Sequence, residues 1–104
     1  MIISMTSSTL PKPMSRDEAR KIFLGTAPTY RGTPGLFQKH YILSEDGLKV
    51  GGVYLWNFRA EAEAMYTESW REFVRAKYNT DPVVTYFESP VTVDNVAGQI
   101  VSAG

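Results

Sequence analysis

Apolar side chains alternate with polar ones at the start of the chain. Met1, Ile3 and Met5 fall on one side, which predicts a strand over residues 1–6. Pro11-Lys12-Pro13 ends it, because proline cannot donate to a strand ladder. Ser15-Arg16-Asp17-Glu18 then reads as a capping box: the Ser15 hydroxyl accepts from the Glu18 amide while the Glu18 carboxylate reaches back. Ala19, Ile22, Phe23, Thr26, Ala27 and Tyr30 follow at helical spacing, with Gly25 and Pro28 predicting a kink or an early end. After a loop at residues 32–35, strands are predicted over residues 36–43 and 50–58. They are joined at Asp46-Gly47, a pair suited to a turn with positive φ. Gly51-Gly52 inside the second of these marks a bulge or a close backbone approach. Ala62, Met65, Tyr66, Ser69, Trp70, Phe73, Val74 and Lys77 form the stripe of one helix over residues 59–78, stopped by Asn79 and Pro82. A fourth strand is predicted over residues 83–89, and the tail beyond Val91 is weakly patterned.

The resulting order, β-α-β-β-α-β, is the ferredoxin-like α+β unit: a four-stranded antiparallel sheet with both helices on one face. We read one domain over residues 1–104, with a core to about residue 91 and a tail over 92–104. If Asp46 and Gly47 form the hairpin loop, Tyr41 meets Gly52, Lys39 meets Tyr54, and Phe37 meets Trp56, with His40 opposite Val53 on the other side. One sheet face then carries Phe37, Lys39, Tyr41, Tyr54, Trp56, Phe58, Tyr86 and Glu88. The other is mostly aliphatic and is expected to pack under the helices, with His40 among it. An aromatic face left in water would be a large exposed patch. Two such faces paired about a two-fold axis would form a homodimer, with the aromatics either filling its core or lining a small-molecule cavity.

Composition narrows the chemistry. Eleven basic residues balance eleven acidic ones, so no basic excess points to nucleic acid or an anionic membrane. There is no cysteine and one histidine, which removes disulfides, thiol nucleophiles and the usual zinc sites, so no metal site is expected. No basic n-region with an apolar core opens the chain, and no run is long enough to span a bilayer; a cytoplasmic location is expected.

Gly51-Gly52-Val53-Tyr54-Leu55-Trp56, followed by Ala64-Met65-Tyr66, resembles the GGxYLF…AxxY segment of the YdhR-like mono-oxygenase family, and Pro34-Gly35-Leu36-Phe37-Gln38-Lys39 resembles its PGFxxK strand. The resemblance implies a dimeric α+β barrel, the superfamily of cofactor-free quinone-forming mono-oxygenases, haem-degrading enzymes, isomerases and stress-response proteins. The haem-degrading branch carries a ligating histidine on its second helix, and residues 59–78 hold none, so haem is not expected. The expected function is a cofactor-independent mono-oxygenase acting on a small aromatic or polyketide-like substrate; the alternative is a non-catalytic small-molecule-binding or stress-related dimer. Catalytic candidates are Lys39, His40 and Tyr41. His40 is either a general base toward a phenol or a strand histidine facing the helices. Lys39 either holds an anion or forms a rim ion pair with Glu88. Candidates for substrate binding are Phe37, Tyr54, Trp56, Phe58, Tyr86 and Glu88. No cofactor is implied.

Overall fold

The computed structural model describes residues 1–102, so the last two residues of the expected tail lie outside the described residues. The order of elements is β1 (Ile2–Thr9), α1 (Arg16–Tyr30), β2 (Leu36–Leu43), β3 (Lys49–Trp56), α2 (Arg59–Met65), α3 (Glu68–Tyr78), β4 (Val83–Glu88), β5 (Val91–Asp94) and β6 (Gln99–Ser102). β1 to β4 form an antiparallel sheet in the order β2-β3-β1-β4, the ferredoxin-like arrangement. No helix among the described residues is long and apolar enough to cross a membrane.

Both arms of the capping box form at Ser15, with Glu18 N donating to Ser15 Oγ at 3.1 Å. Pro28 falls in the last turn of α1, so the helix runs through it to Tyr30 instead of ending early. The expected helix over residues 59–78 is two helices. Thr67 caps the second, its hydroxyl accepting from Trp70 N at 3.2 Å, and Tyr66 leaves the helical conformation at ψ 61°. A threonine oxygen competes with the backbone for amide donors, which is why it favours a helix start over a helix interior. The tail is a hairpin of β5 and β6, paired from Val91–Ser102 to Asp94–Gln99.

The β2–β3 register is the expected one over Lys39–Tyr54, His40–Val53 and Tyr41–Gly52, although the connection spans residues 44–48. Asp46 Oδ1 fixes that connection by accepting from Ser44 Oγ at 2.6 Å and Leu48 N at 3.0 Å. The irregularity lies elsewhere than Gly51-Gly52. It falls at Phe37, so Leu36 takes the place opposite Trp56 and Phe37 is thrown outward. Gly51 and Gly52 pair without a break against β1 and β2, and what they provide is close approach. A Cβ at Gly51 would overlap the Thr6 carbonyl oxygen, and one at Gly52 would sit 2.9 Å from the Tyr54 ring.

The two faces of the sheet are the reverse of the sequence expectation. Tyr54 and Trp56, 1% and 0% exposed, pack under the helices against Ala62, with Tyr30, Met65 and Tyr66 around them. The reason is complementary size. On that side the interior strand β1 carries Ile2 at its end and then the small residues Ser4, Thr6 and Ser8, all three buried, which leaves room for rings from β3 and the helices. Polar atoms of those rings find partners there: Trp56 Nε1 donates to Ser4 Oγ at 2.7 Å, Tyr66 Oη lies 2.6 Å from the same oxygen, and Trp70 Nε1 donates to Tyr30 Oη at 3.1 Å. The mainly aliphatic face is open. Met5 is 40% exposed and Phe87 49%, beside Ile3, Ile42, Val53 and Leu55.

Candidate functional site

β2 is an edge strand, and Lys39 lies at its middle on the helix side. The Lys39 ammonium stands over three rings: 3.3 Å from the Tyr30 centroid, 3.8 Å from Tyr41 and 4.8 Å from Tyr54. α1 supplies Tyr30 from its last turn, β2 supplies Tyr41, and β3 supplies Tyr54 across the ladder from Lys39. The absence of a side chain at Gly52 makes room for the lysine stem, since a Cβ there would sit 3.0 Å from Lys39 Cε. No carboxylate lies within ion-pair distance of Lys39 among the described residues.

Burial lowers the Lys39 pKa to about 7, because the charged form loses its hydration. The ring faces act the other way, since their quadrupoles attract the cation. Desolvation also raises the tyrosine hydroxyls: Tyr41 above its ordinary value, and Tyr54 and Tyr66 far above theirs. These phenols are therefore neutral hydrogen-bonding groups near neutral pH. Tyr41 Oη is held 2.8 Å from Thr26 Oγ1, with either hydroxyl able to donate, and Thr26 Oγ1 also donates to the Phe23 carbonyl oxygen at 3.2 Å.

Two spaces meet at Lys39. Inward is a small, partly open cavity of about 30 Å³, bordered by Thr6, Thr26, Tyr41 and Tyr54, room for one or two waters. Outward, a groove of about 540 Å³ runs between α1 and β2, lined by Leu24, Ala27, Tyr30, Phe37, Lys39 and Tyr41. That volume suits a ligand of two or three fused rings. A second groove, of about 730 Å³, continues past Leu24 and Tyr41 toward Phe23, Leu43 and the β2–β3 connection.

The expected residues divide. Lys39, Tyr41 and Tyr54 converge, and Phe37, despite its shifted register, lines the outer groove. Trp56 stacks behind Tyr54, with centroids 6.0 Å apart. His40 is on the open face instead of under the helices, exposed, with Nε2 3.2 Å from Gln38 Oε1. Phe58 lies past the end of β3 at the N-cap of α2 and is 69% exposed. Tyr86 packs on Tyr66 and beneath the Arg59 guanidinium, away from the groove. Glu88 is on β4, the opposite edge of the sheet from β2, so the expected pair with Lys39 does not form. Tyr30 and Thr26 are missing from the sequence expectation. Their spacing of four on α1 was read only as part of an apolar stripe, yet it places two hydroxyls one turn apart on the face toward β2.

No protein-family model matches the sequence, and no curated protein matches it. Solved structures do. A mono-oxygenase from the gene ActVA-Orf6 of Streptomyces coelicolor, determined with nanaomycin D, superposes with a TM-score of 0.65 at 14% identity, covering 85% of this chain and 86% of its own. SnoaB, a cofactor-independent oxygenase from Streptomyces nogalater, gives 0.63 at 14% identity over 88% and 95% of the two chains. The chain has the fold of these oxygenases. Rv0793 from Mycobacterium tuberculosis is also similar, with a TM-score of 0.58 at 15% identity over 86% and 95%.

Proposed function

We propose that this protein is a cofactor-independent mono-oxygenase of small aromatic or polyketide-like substrates, acting at Lys39. The observation that carries the reading is a lysine with a pKa near 7, ringed by tyrosines, at the floor of a groove sized for fused rings. The fold shared with a cofactor-independent oxygenase supports it. A neutral Lys39 amine takes a proton from an acidic phenol or ring CH₂, and the Tyr41 hydroxyl bonds to the anion that results. The electron-rich carbanion reduces dioxygen itself, forming a carbon–oxygen bond. Loss of water then leaves a ketone, so CH₂ and O₂ become C=O and H₂O with all electrons drawn from substrate. Phe37 and Tyr30 provide the walls.

The working unit in this reading is a homodimer, joined through the open sheet face that carries Ile3, Met5, Ile42, Val53, Leu55 and Phe87. We place it in the cytoplasm. The test is oxygen uptake with an anthrone or a hydroquinone, in the presence of a chelator. Turnover that stops under nitrogen and in Lys39→Met is expected. No uptake across a panel of such substrates, with binding retained, would instead leave a small-molecule-binding protein.

A further inference from the structure

We propose that Lys39 Nζ is a carbonyl-capturing nucleophile, which condenses with an aromatic aldehyde or ketone seated in the groove between α1 and β2. The inference goes beyond oxygen chemistry and does not depend on it. The chain has five lysines, and Lys12, Lys21, Lys49 and Lys77 are all exposed. Lys39 alone is half-buried and lines an inner cavity and an outer groove at once; like the other lysines, it has no acidic partner among the described residues. An ion pair would hold the amine as a cation with its lone pair blocked, whereas a tyrosine cage leaves loss of the proton open. The groups that face it are phenol rings: Tyr30 from α1, Tyr41 from β2 and Tyr54 from β3. From α3, Lys77 and Tyr78 also line the inner cavity.

The reaction balances without any further reagent. The nitrogen lone pair attacks the carbonyl carbon, a C–N bond forms, and the C=O π pair moves to oxygen. The two amine hydrogens leave with that oxygen as water, giving an imine. Tyr41, hydrogen-bonded to Thr26, lies beside the nitrogen as a proton donor to the departing oxygen. The groove supplies apolar walls, Leu24 and Phe37, for the ring of the carbonyl compound.

At pH 7 an exposed lysine is neutral in only about one molecule in 2,500, while an amine with a pKa near 7 is neutral in about half. Part of that advantage is lost because a less basic amine is a weaker nucleophile. A net preference of about tenfold or more is expected.

The experiment treats the whole protein with benzaldehyde and cyanoborohydride at pH 7 under nitrogen, then maps benzylated lysines by peptide mass spectrometry. The expected result is Lys39 labelled at least about tenfold faster than each of the other four. Prior unfolding in urea should equalise the rates. Lys39→Arg should lose the fast label while circular dichroism shows a folded chain. Label spread over the exposed lysines, with Lys39 equal to or slower than them in the folded protein, overturns the proposal. Because dioxygen is absent, failure of oxygenation and failure of imine capture are read separately.

Discussion

Replacing Ser4 by alanine removes one oxygen that serves two aromatic rings. Ser4 Oγ accepts from Trp56 Nε1 at 2.7 Å and bonds Tyr66 Oη at 2.6 Å, on a residue that is fully buried. In Ser4→Ala the indole N–H stays under the helices without an acceptor, which costs about 1–3 kcal/mol. The Tyr66 hydroxyl is only partly buried and recovers part of its loss from water, adding about 0.5–1 kcal/mol. A total of about 1.5–4 kcal/mol divided by a urea slope of about 1.5 kcal/mol/M lowers the unfolding midpoint by about 1–2.7 M. Trp56→Phe removes the donor and keeps most of the ring. In the double variant the two losses should overlap, with a coupling of about 1 kcal/mol. Ser7→Ala, on the opposite face of the same strand, should change stability by less than about 0.5 kcal/mol. If Ser4→Ala and Ser7→Ala prove equal, or the cycle shows no coupling, then Trp56 does not point at Ser4 and the assignment of faces is wrong.

Gly51→Ala should destabilise by about 3 kcal/mol or more in urea titration, since its methyl overlaps the Thr6 carbonyl oxygen, while Gly25→Ala, with open space around it in α1, should stabilise by about 0.5–1 kcal/mol. Lys39 has a folded-state pKa below its unfolded value, so between pH 7 and about 10.4 the unfolded chain binds the extra proton. Stability from this group therefore rises with pH through that window, and thermal melts of Lys39→Met should lack the rise. Met5→Lys places a charge on the open face, and sedimentation velocity should show the proposed dimer replaced by a monomer.

The order of elements was legible because it rests on local signals: the Ser15–Glu18 capping box, the Asp46-Gly47 turn and the stop at Asn79, whose φ of 58° is the left-handed cap. The Lys39–Tyr54 pairing followed from the same turn, since a hairpin fixes register at a distance from its loop. Which face looks at the helices did not follow. Alternation says that Tyr54 and Val53 are on opposite sides, but not which side is covered. We ranked the faces by polarity, whereas the fold ranks them by fit. The row Ser4, Thr6, Ser8 was the overlooked signal: small hydroxyl residues on one side of an interior strand make a trough for rings and accept their N–H and O–H groups. Thr67 was missed for a related reason, because the apolar stripe of residues 62–74 continues across it and hides a second cap.

The interior position of β1 has a consequence for how the chain is made. β1 emerges before the other strands of its sheet during synthesis, yet its ladder partners come late: Ile2 pairs with Trp56 on one side and with Glu88 on the other. Until residue 88 has left the ribosome, the middle of the sheet has at least one raw edge. Closing such distant pairs carries a loop-entropy cost and slows folding relative to a chain of the same size built from neighbouring hairpins. The β2–β3 hairpin is the one part of the sheet able to form early from adjacent residues, and it already brings Lys39 alongside Tyr54. The reactive lysine thus meets part of its aromatic surroundings in the segment that can order first, and the nascent chain waits on β4 to be complete.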